Sequence, residues 1–374
     1  MKKLIPLLLL SFFLTACSSL PQKAQTWQTA NQAIVDEHIV PRHQQLADAS
    51  YALQQQAKSL CTEPSEAKLE NVRRGFHQTM DGWMSIQHIR NGPVELLTRY
   101  HRYQLWPDKH NTGSKQLGKM LGEQDIDVLQ TDHFARTSVA VQGLSALERL
   151  LFNSMKGPET FLATFSDNGQ SSYRCQLVMA ITNNLATMSS ELVDEWAAKP
   201  TPFHTLFLSS GQLLGERMTD KSLAEKPEVS STFLNHMTTQ VQSVIDQKLK
   251  RPMADNTAKA KPRYAESWRS ERSMRNIRLN LQAVESLYDT GFASMLKSKS
   301  NGLELDKQIK LAFKASHAAA KAIDQPLSDT LKDESQRPAL EKLVATSRKL
   351  QSLLSTALPQ AVEIPLGFNA LDGD

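Results

Sequence analysis

Apolar residues recur three and four positions apart along nearly the whole chain, and that spacing restricts it to helices, because only a helical turn gathers such positions on one face. No Val/Ile/Tyr-rich run bounded by Asn-Gly or Asp-Gly turns suggests a hairpin. The pattern predicts long helices at 23–60, 65–90, 134–153, 171–198, 229–250, 267–290, 304–323 and 333–356, with shorter ones near 93–104 and 204–216. Breaks fall at helix-ending chemistry: Glu63-Pro64-Ser65, Asn91-Gly92-Pro93, Trp106-Pro107-Asp108 through Gly113, Lys156-Gly157-Pro158 and Lys199-Pro200-Thr201-Pro202. Long helices with short joins pack as antiparallel bundles, so the expected fold is all-α, of the up-down four-helix-bundle type. A chain of 374 residues suits one large or two ordinary domains, and two are expected: a first bundle over 23–205 and a second over 206–374. Leu144–Leu151 (LSALERLL) aligns without gaps against Leu281–Tyr288 (LQAVESLY), sharing Leu, Ala, Glu and Leu. An internal duplication would put one bundle on each side of a boundary near 200–225; a chance match among many helical windows is the other reading.

The first residues have a separate logic. Lys2 and Lys3, the apolar run Leu4–Leu14 and the small pair Thr15-Ala16 are the three parts of a secretory signal, residues 1–16. The run stops well short of the roughly 20 apolar residues of a membrane-spanning helix. Leu14-Thr15-Ala16-Cys17 resembles the lipobox of bacterial lipoproteins, which makes Cys17 the lipidated first residue and 17–22 a tether. At about 0.8 kcal/mol per buried CH₂, two or three acyl chains of the palmitate type hold such a protein on a membrane. Ser18, rather than Asp, follows the cysteine, which by the sorting rule of Gram-negative lipoproteins points to the outer membrane, facing the periplasm. Export also puts Cys61 and Cys175 in an oxidising compartment, where a disulfide is expected, two separate buried thiols being the alternative. Loss of Lys2 and Lys3 takes two charges off a formal +4, and the near balance asks for no nucleic acid.

The clearest charge bias lies in Lys248–Arg278, where Lys248, Arg251, Arg263, Arg269, Arg272 and Arg275 stand among few acids. A solvated loop and helix face explains it, and so does a site for an anionic ligand near the next helix start. For metals, helices offer ligands three or four residues apart. No His-x-x-x-His, His-x-x-Glu or Glu-x-x-His occurs, and the only such acid is Asp81, after His77. That pair is a weak metal candidate beside a surface hydrogen bond; His88, His101, His110 and His133 could join it only through folding. No zinc cysteine cluster, phosphate loop or Gly-x-Ser-x-Gly elbow is present. In Ser138–Phe152, read as one helix, Gly143 at mid-helix implies close packing, and Gln142, Ser145 and Glu148 share a face. A buried Glu148 needs a partner, a ligand or a proton; an exposed stripe of a bundle helix is the plain alternative.

Asp81–Pro93 (DGWMSIQHIRNGP), Tyr103–Lys109 (YQLWPDK), Val141–Phe152, Tyr173–Leu177 (YRCQL) and Ser267–Ser273 (SWRSERS), taken in order, resemble the imelysin family of exported bacterial proteins. The resemblance runs over almost the whole mature chain and implies two related helical bundles, a site near their interface, links to iron uptake, and metallopeptidase activity as described for founding members. The family's Gly-x-His-x-x-Glu motif falls on Gly143, Ser145 and Glu148, so the histidine is replaced here. Serine is a poor ligand for zinc or ferrous iron. The resemblance therefore implies a binding protein serving uptake of iron or an iron-bearing ligand, with no catalytic residues. It leaves iron or zinc open as cofactor, and groups Gly143, Ser145 and Glu148 with Trp83, Trp268, Arg269 and Ser270. A zinc peptidase using Glu148 with His77 and Asp81, and an assembly lipoprotein docking on an outer-membrane partner, are the competing expectations.

Overall fold

Thr26 opens the first helix, its hydroxyl accepting from Thr29 N at 3.2 Å. Helix α1 then runs over 27–62, interrupted by one wide π-helical stretch, Ile34–Ile39, and ends at the extended residue Glu63 before Pro64. Ser65 caps α2 (Glu66–Ile86) by accepting from Lys68 N at 3.3 Å. Short helices follow: α3 (Arg99–Tyr103), α4 (Thr112–Glu123), α5 (Val139–Gln142) and α6 (Leu144–Leu151). The long α7 (Tyr173–Ala197), α8 (228–253), α9 (273–297), α10 (Gly302–Lys321) and α11 (337–362) complete the frame. The computed structural model describes residues 26–152, 161–167, 170–197 and 228–364. Among these the fold is all-α apart from one antiparallel pair of two-residue strands, Ser166–Asp167 with Gln170–Ser171.

Helices α1, α2 and α7 pack side by side, with α3 to α6 lying along α2 and α7, and α8 to α11 pack as a second set. Trp83, Trp196, Tyr103 and Phe76 of the first set and Tyr288, Phe292 and Phe313 of the second are fully buried in one continuous hydrophobic core. The two sets meet along α2 and α9. The start of α1 belongs to the second set as well: Trp27 packs on Phe292 at 5.8 Å between ring centres, and Ser230 Oγ donates to Asn31 Oδ1 at 2.9 Å. Ile34 lies so close to Gly291 that a Cβ there would stand 2.2 Å from its Cδ1. Cys61, at the end of α1, is disulfide-bonded to Cys175 in the first turn of α7, with their Cα atoms 5.5 Å apart. No described helix is long and apolar enough to cross a membrane.

Several expected elements differ. The single helix over 134–153 is broken: Gly143 is extended, at φ −120° and ψ −165°, and separates α5 from α6. Residues 112–123, where no helix is expected and which overlap the break through Gly113, form α4. The helix expected from 267 begins at Ser273, because Ser267 and Glu271 have φ of 51° and 56° and close a tight turn between them. Residues 1–22 with Cys17, the helix expected at 204–216 and the boundary expected at 205/206 lie outside the described residues.

Candidate functional site

The site grows from a backbone contact. The carbonyls of Arg102 and Tyr103, at the end of α3, would lie 2.1 and 2.4 Å from a Cβ on Gly143, so only glycine lets the two segments meet. The Gly143 carbonyl accepts from Ala146 N and Leu147 N, both at 3.0 Å, and starts α6. Ser145 and Glu148 follow on one face of that helix. Glu148 is only 4% exposed. Its Oε1 accepts from Ser270 N at 2.9 Å and Ser270 Oγ at 2.7 Å, across a gap of 122 residues in sequence. Burial pushes the Glu148 carboxyl up toward its neutral form, against the two Ser270 bonds. Ser145 Oγ donates to the Leu105 carbonyl at 3.1 Å.

Above Ser145 and Glu148 opens a cavity of about 640 Å³, walled by Trp106 and Asp108 on one side and by Arg251, Arg263, Tyr264, Trp268 and Arg269 on the other. Asp108 is committed elsewhere: Oδ1 accepts from Thr112 N at 2.8 Å and Oδ2 from Gly113 N at 2.9 Å, capping α4, and Oδ2 stands 3.5 Å from Arg149. Arg149 also donates to the Ser145 carbonyl at 2.7 Å and to Ser114 Oγ at 3.0 Å. Arg269 lies 4.4 Å and Arg263 5.7 Å from the Trp268 ring centre, and Arg251 lies 5.0 Å from that of Tyr264.

Trp83 sits on the far side of this wall. Its Nε1 donates to Gln104 Oε1 at 2.9 Å, and Gln104 Nε2 donates to Glu266 Oε1 at 3.1 Å. Lys248 Nζ donates to Glu266 Oε2 at 2.7 Å and Asn280 Oδ1 at 2.6 Å, so this buried ion pair has polar partners around it. A smaller cavity of about 230 Å³ lies beside Trp83, and Gln104, Trp106 and Pro107 line both spaces.

His77 and Asp81 do meet, through a shared arginine rather than a cation site. Arg272 Nη1 lies 3.0 Å from His77 Nδ1, and Arg272 Nη2 donates to Asp81 Oδ1 at 2.5 Å. Arg275 Nε donates to the same oxygen at 2.8 Å. Burial and these two arginines lower His77 to about 4. His88 pairs with His38, Nε2 to Nε2 at 2.9 Å, His101 lines the smaller cavity, and His133 Nδ1 lies 3.2 Å from the Asp127 carbonyl. His110 is exposed, and among the described residues no histidine lines the cavity over Glu148. Among the described residues no three His, Cys, Asp or Glu side chains converge as metal ligands.

Of the residues grouped from sequence, the fold brings Gly143, Ser145, Glu148, Trp268, Arg269 and Ser270 to one place. It sets Trp83 one hydrogen-bonded step away, and leaves His77 and Asp81 with Arg272 and Asp81 also with Arg275. Asp108 and Trp106 stand in the sequence as a helix break and within the family-like stretch Tyr103–Lys109, with no sign there of a place at the site. Arg251 and Arg263 were visible as charge bias alone.

The sequence model of the imelysin family matches residues 39–354. No curated protein matches the chain. Among solved structures, an imelysin-like protein from Psychrobacter arcticum 273-4 superposes with a TM-score of 0.73 at 16% identity, over 91% of this chain and 97% of its own. A protein described as an iron-regulated protein A precursor, from Parabacteroides distasonis ATCC 8503, gives 0.70 at 13% identity, over 92% and 96%.

Proposed function

The chain belongs to the imelysin family, and from that premise we propose a lipid-anchored, non-catalytic binding protein of the bacterial periplasm. It serves uptake of iron or an iron-bearing ligand, and the cavity over Glu148 is its binding site. The observation that carries this reading is the state of the motif positions beneath the cavity. Ser145 spends its hydroxyl proton on the Leu105 carbonyl, and Glu148 is bound by Ser270 and driven toward its neutral form. A zinc peptidase needs imidazole and carboxylate donors converging on one point. The donor set among the described residues does not fit that ion: His77 and Asp81 are turned to Arg272, and no described histidine borders the cavity. A space of this size, where Trp106, Phe152, Tyr264 and Trp268 alternate with charged and polar side chains, suits a small-molecule ligand. The iron-regulated description of one structural neighbour and the signal and lipobox of residues 1–17 support the iron and envelope parts.

The test is radiolabelled iron uptake under iron limitation in cells lacking the gene, complemented with wild type or with Cys17→Ala. Uptake falls on deletion, returns with wild type and does not return with the unlipidated variant. Unchanged uptake on deletion would overturn the proposal.

A further inference from the structure

Coordination of a bare cation requires several anionic or imidazole donors around one point, and the cavity over Glu148 offers the reverse. Its carboxyls are Glu148, held by Ser270, and Asp108, tied to the first turn of α4 and to Arg149. Its cations are in excess: Lys109, Arg149, Arg251, Arg263 and Arg269. Arg251, Arg263 and Arg269 make no ion pair with a carboxylate among the described residues; each stands against an aromatic ring instead. Burial and the like charges of Arg149 and Arg263 bear on Arg269, offset in part by Glu148, and an anion placed among the three arginines would relieve them further. A guanidinium stacked on an aromatic face keeps its in-plane N–H groups available and oriented, the geometry that grips carboxylates with two parallel bonds. The volume, about 640 Å³, lies within the range of about 300–1,000 Å³ common to small-molecule sites.

We propose that this cavity is a site for polycarboxylate anions, and that iron reaches it as an anionic chelate of the ferric citrate class rather than as a bare ion. The inference rests on the binding reading above and narrows its ligand. Arg263 and Arg269, stacked on Trp268, are the carboxylate-gripping pair. Trp106 and Trp268 pack against the carbon frame of the ligand, above Glu148 at the floor.

The lipidated full-length protein, in detergent and metal-free buffer, is titrated with ferric citrate, with iron-free citrate and with a ferrous salt, by calorimetry and by tryptophan fluorescence. Ferric citrate binds, and affinity falls with added salt. Arg263→Ala/Arg269→Ala weakens binding by about 10-fold or more, as expected for losing hydrogen bonds to a charged group. Arg269→Lys, with the charge kept and the fork lost, falls between. Unchanged thermal midpoints show that the variants are folded. Binding of the ferrous ion alone, indifferent to both arginines and without binding of ferric citrate, overturns the inference and leaves the iron proposal standing. Equal, arginine-dependent affinity for iron-free citrate keeps the polycarboxylate site and overturns the iron proposal instead. No binding of either citrate form at millimolar concentration overturns the inference.

Discussion

Glu148 combines burial with two hydrogen bonds to one oxygen, and the balance favours its neutral form. The pH consequence follows from the sign of the shift. The folded carboxyl keeps a proton that the unfolded chain has lost above its ordinary value of 4.5, so this group's contribution to stability declines as pH rises from there through the folded value. Glu148→Gln keeps an acceptor for Ser270 and cannot ionise, so it should equal or exceed wild type in urea midpoint at pH 8. Glu148→Ala leaves the Ser270 donors unsatisfied and should cost about 1–3 kcal/mol. A Glu148→Gln midpoint as low as that of Glu148→Ala would contradict the neutral carboxyl. Ser145→His restores the imidazole one turn from Glu148 and should give a protein that retains zinc or iron in elemental analysis where wild type retains none. Equal metal content in the two would show that position 145 does not decide metal binding. At this scale the spacing of Gly143, Ser145 and Glu148 was legible, because it is local. The Ser270 bond and the role of Asp108 were not: one partner is 122 residues distant and the other reads as turn chemistry.

Helices α4 and α6 mark what periodicity can and cannot reveal. The apolar stripe of α6 was clear, but its start was placed too early, because an extended glycine between two helical stretches leaves the spacing of apolar residues nearly unchanged. Gly113, Gly118 and Gly122 lowered the helical signal of α4, which Asp108 restores by capping two free N–H groups. The π-helical stretches of α1, α8, α9 and α11 add a residue to a turn without any local composition that announces it. Gly143→Ala tests the element-level argument. Its methyl would meet the Arg102 and Tyr103 carbonyls, so the substitution should destabilise by about 1–3 kcal/mol or more and displace the adjoining Gln104-Leu105 wall of the cavity. Both effects are readable as a lower denaturation midpoint and altered tryptophan emission. A stabilised variant, as expected for Gly→Ala within a regular helix, would show that α5 and α6 are continuous.

At the scale of the molecule, the two helical sets are joined by α1, whose first turns serve the second set and whose remainder serves the first. A division at 205/206, drawn from an internal echo between Leu144–Leu151 and Leu281–Tyr288, cannot show this, because the contacts link residues about 200 or more apart. The all-α class was legible throughout, being a property of pattern. The buried histidines were not, since a lone histidine on an apolar face carries no signal of its burial. Burial lowers His43 and His236 to about 3 and pushes His38 and His88 well below their ordinary range. Between pH 6.5 and about 3 the unfolded chain takes up protons that the folded one refuses, so stability falls on acidification, by about 1.4 kcal/mol per pH unit for each such group. Both ring nitrogens of His43 lack hydrogen-bond partners, and the ring stacks on Trp196. His43→Phe should therefore flatten the pH dependence of the urea midpoint between pH 6.5 and 4.5 by about one proton's worth. An unaltered slope would place the acid sensitivity elsewhere. The central claim, that the cavity over Glu148 holds an iron-bearing ligand, is tested most directly by anomalous diffraction at the iron edge from crystals grown with ferric citrate. One iron peak is expected inside the cavity, beside Trp268 and Arg269 and reached by no protein imidazole. Crystals with no iron peak there, or with iron coordinated elsewhere in the chain, would contradict it.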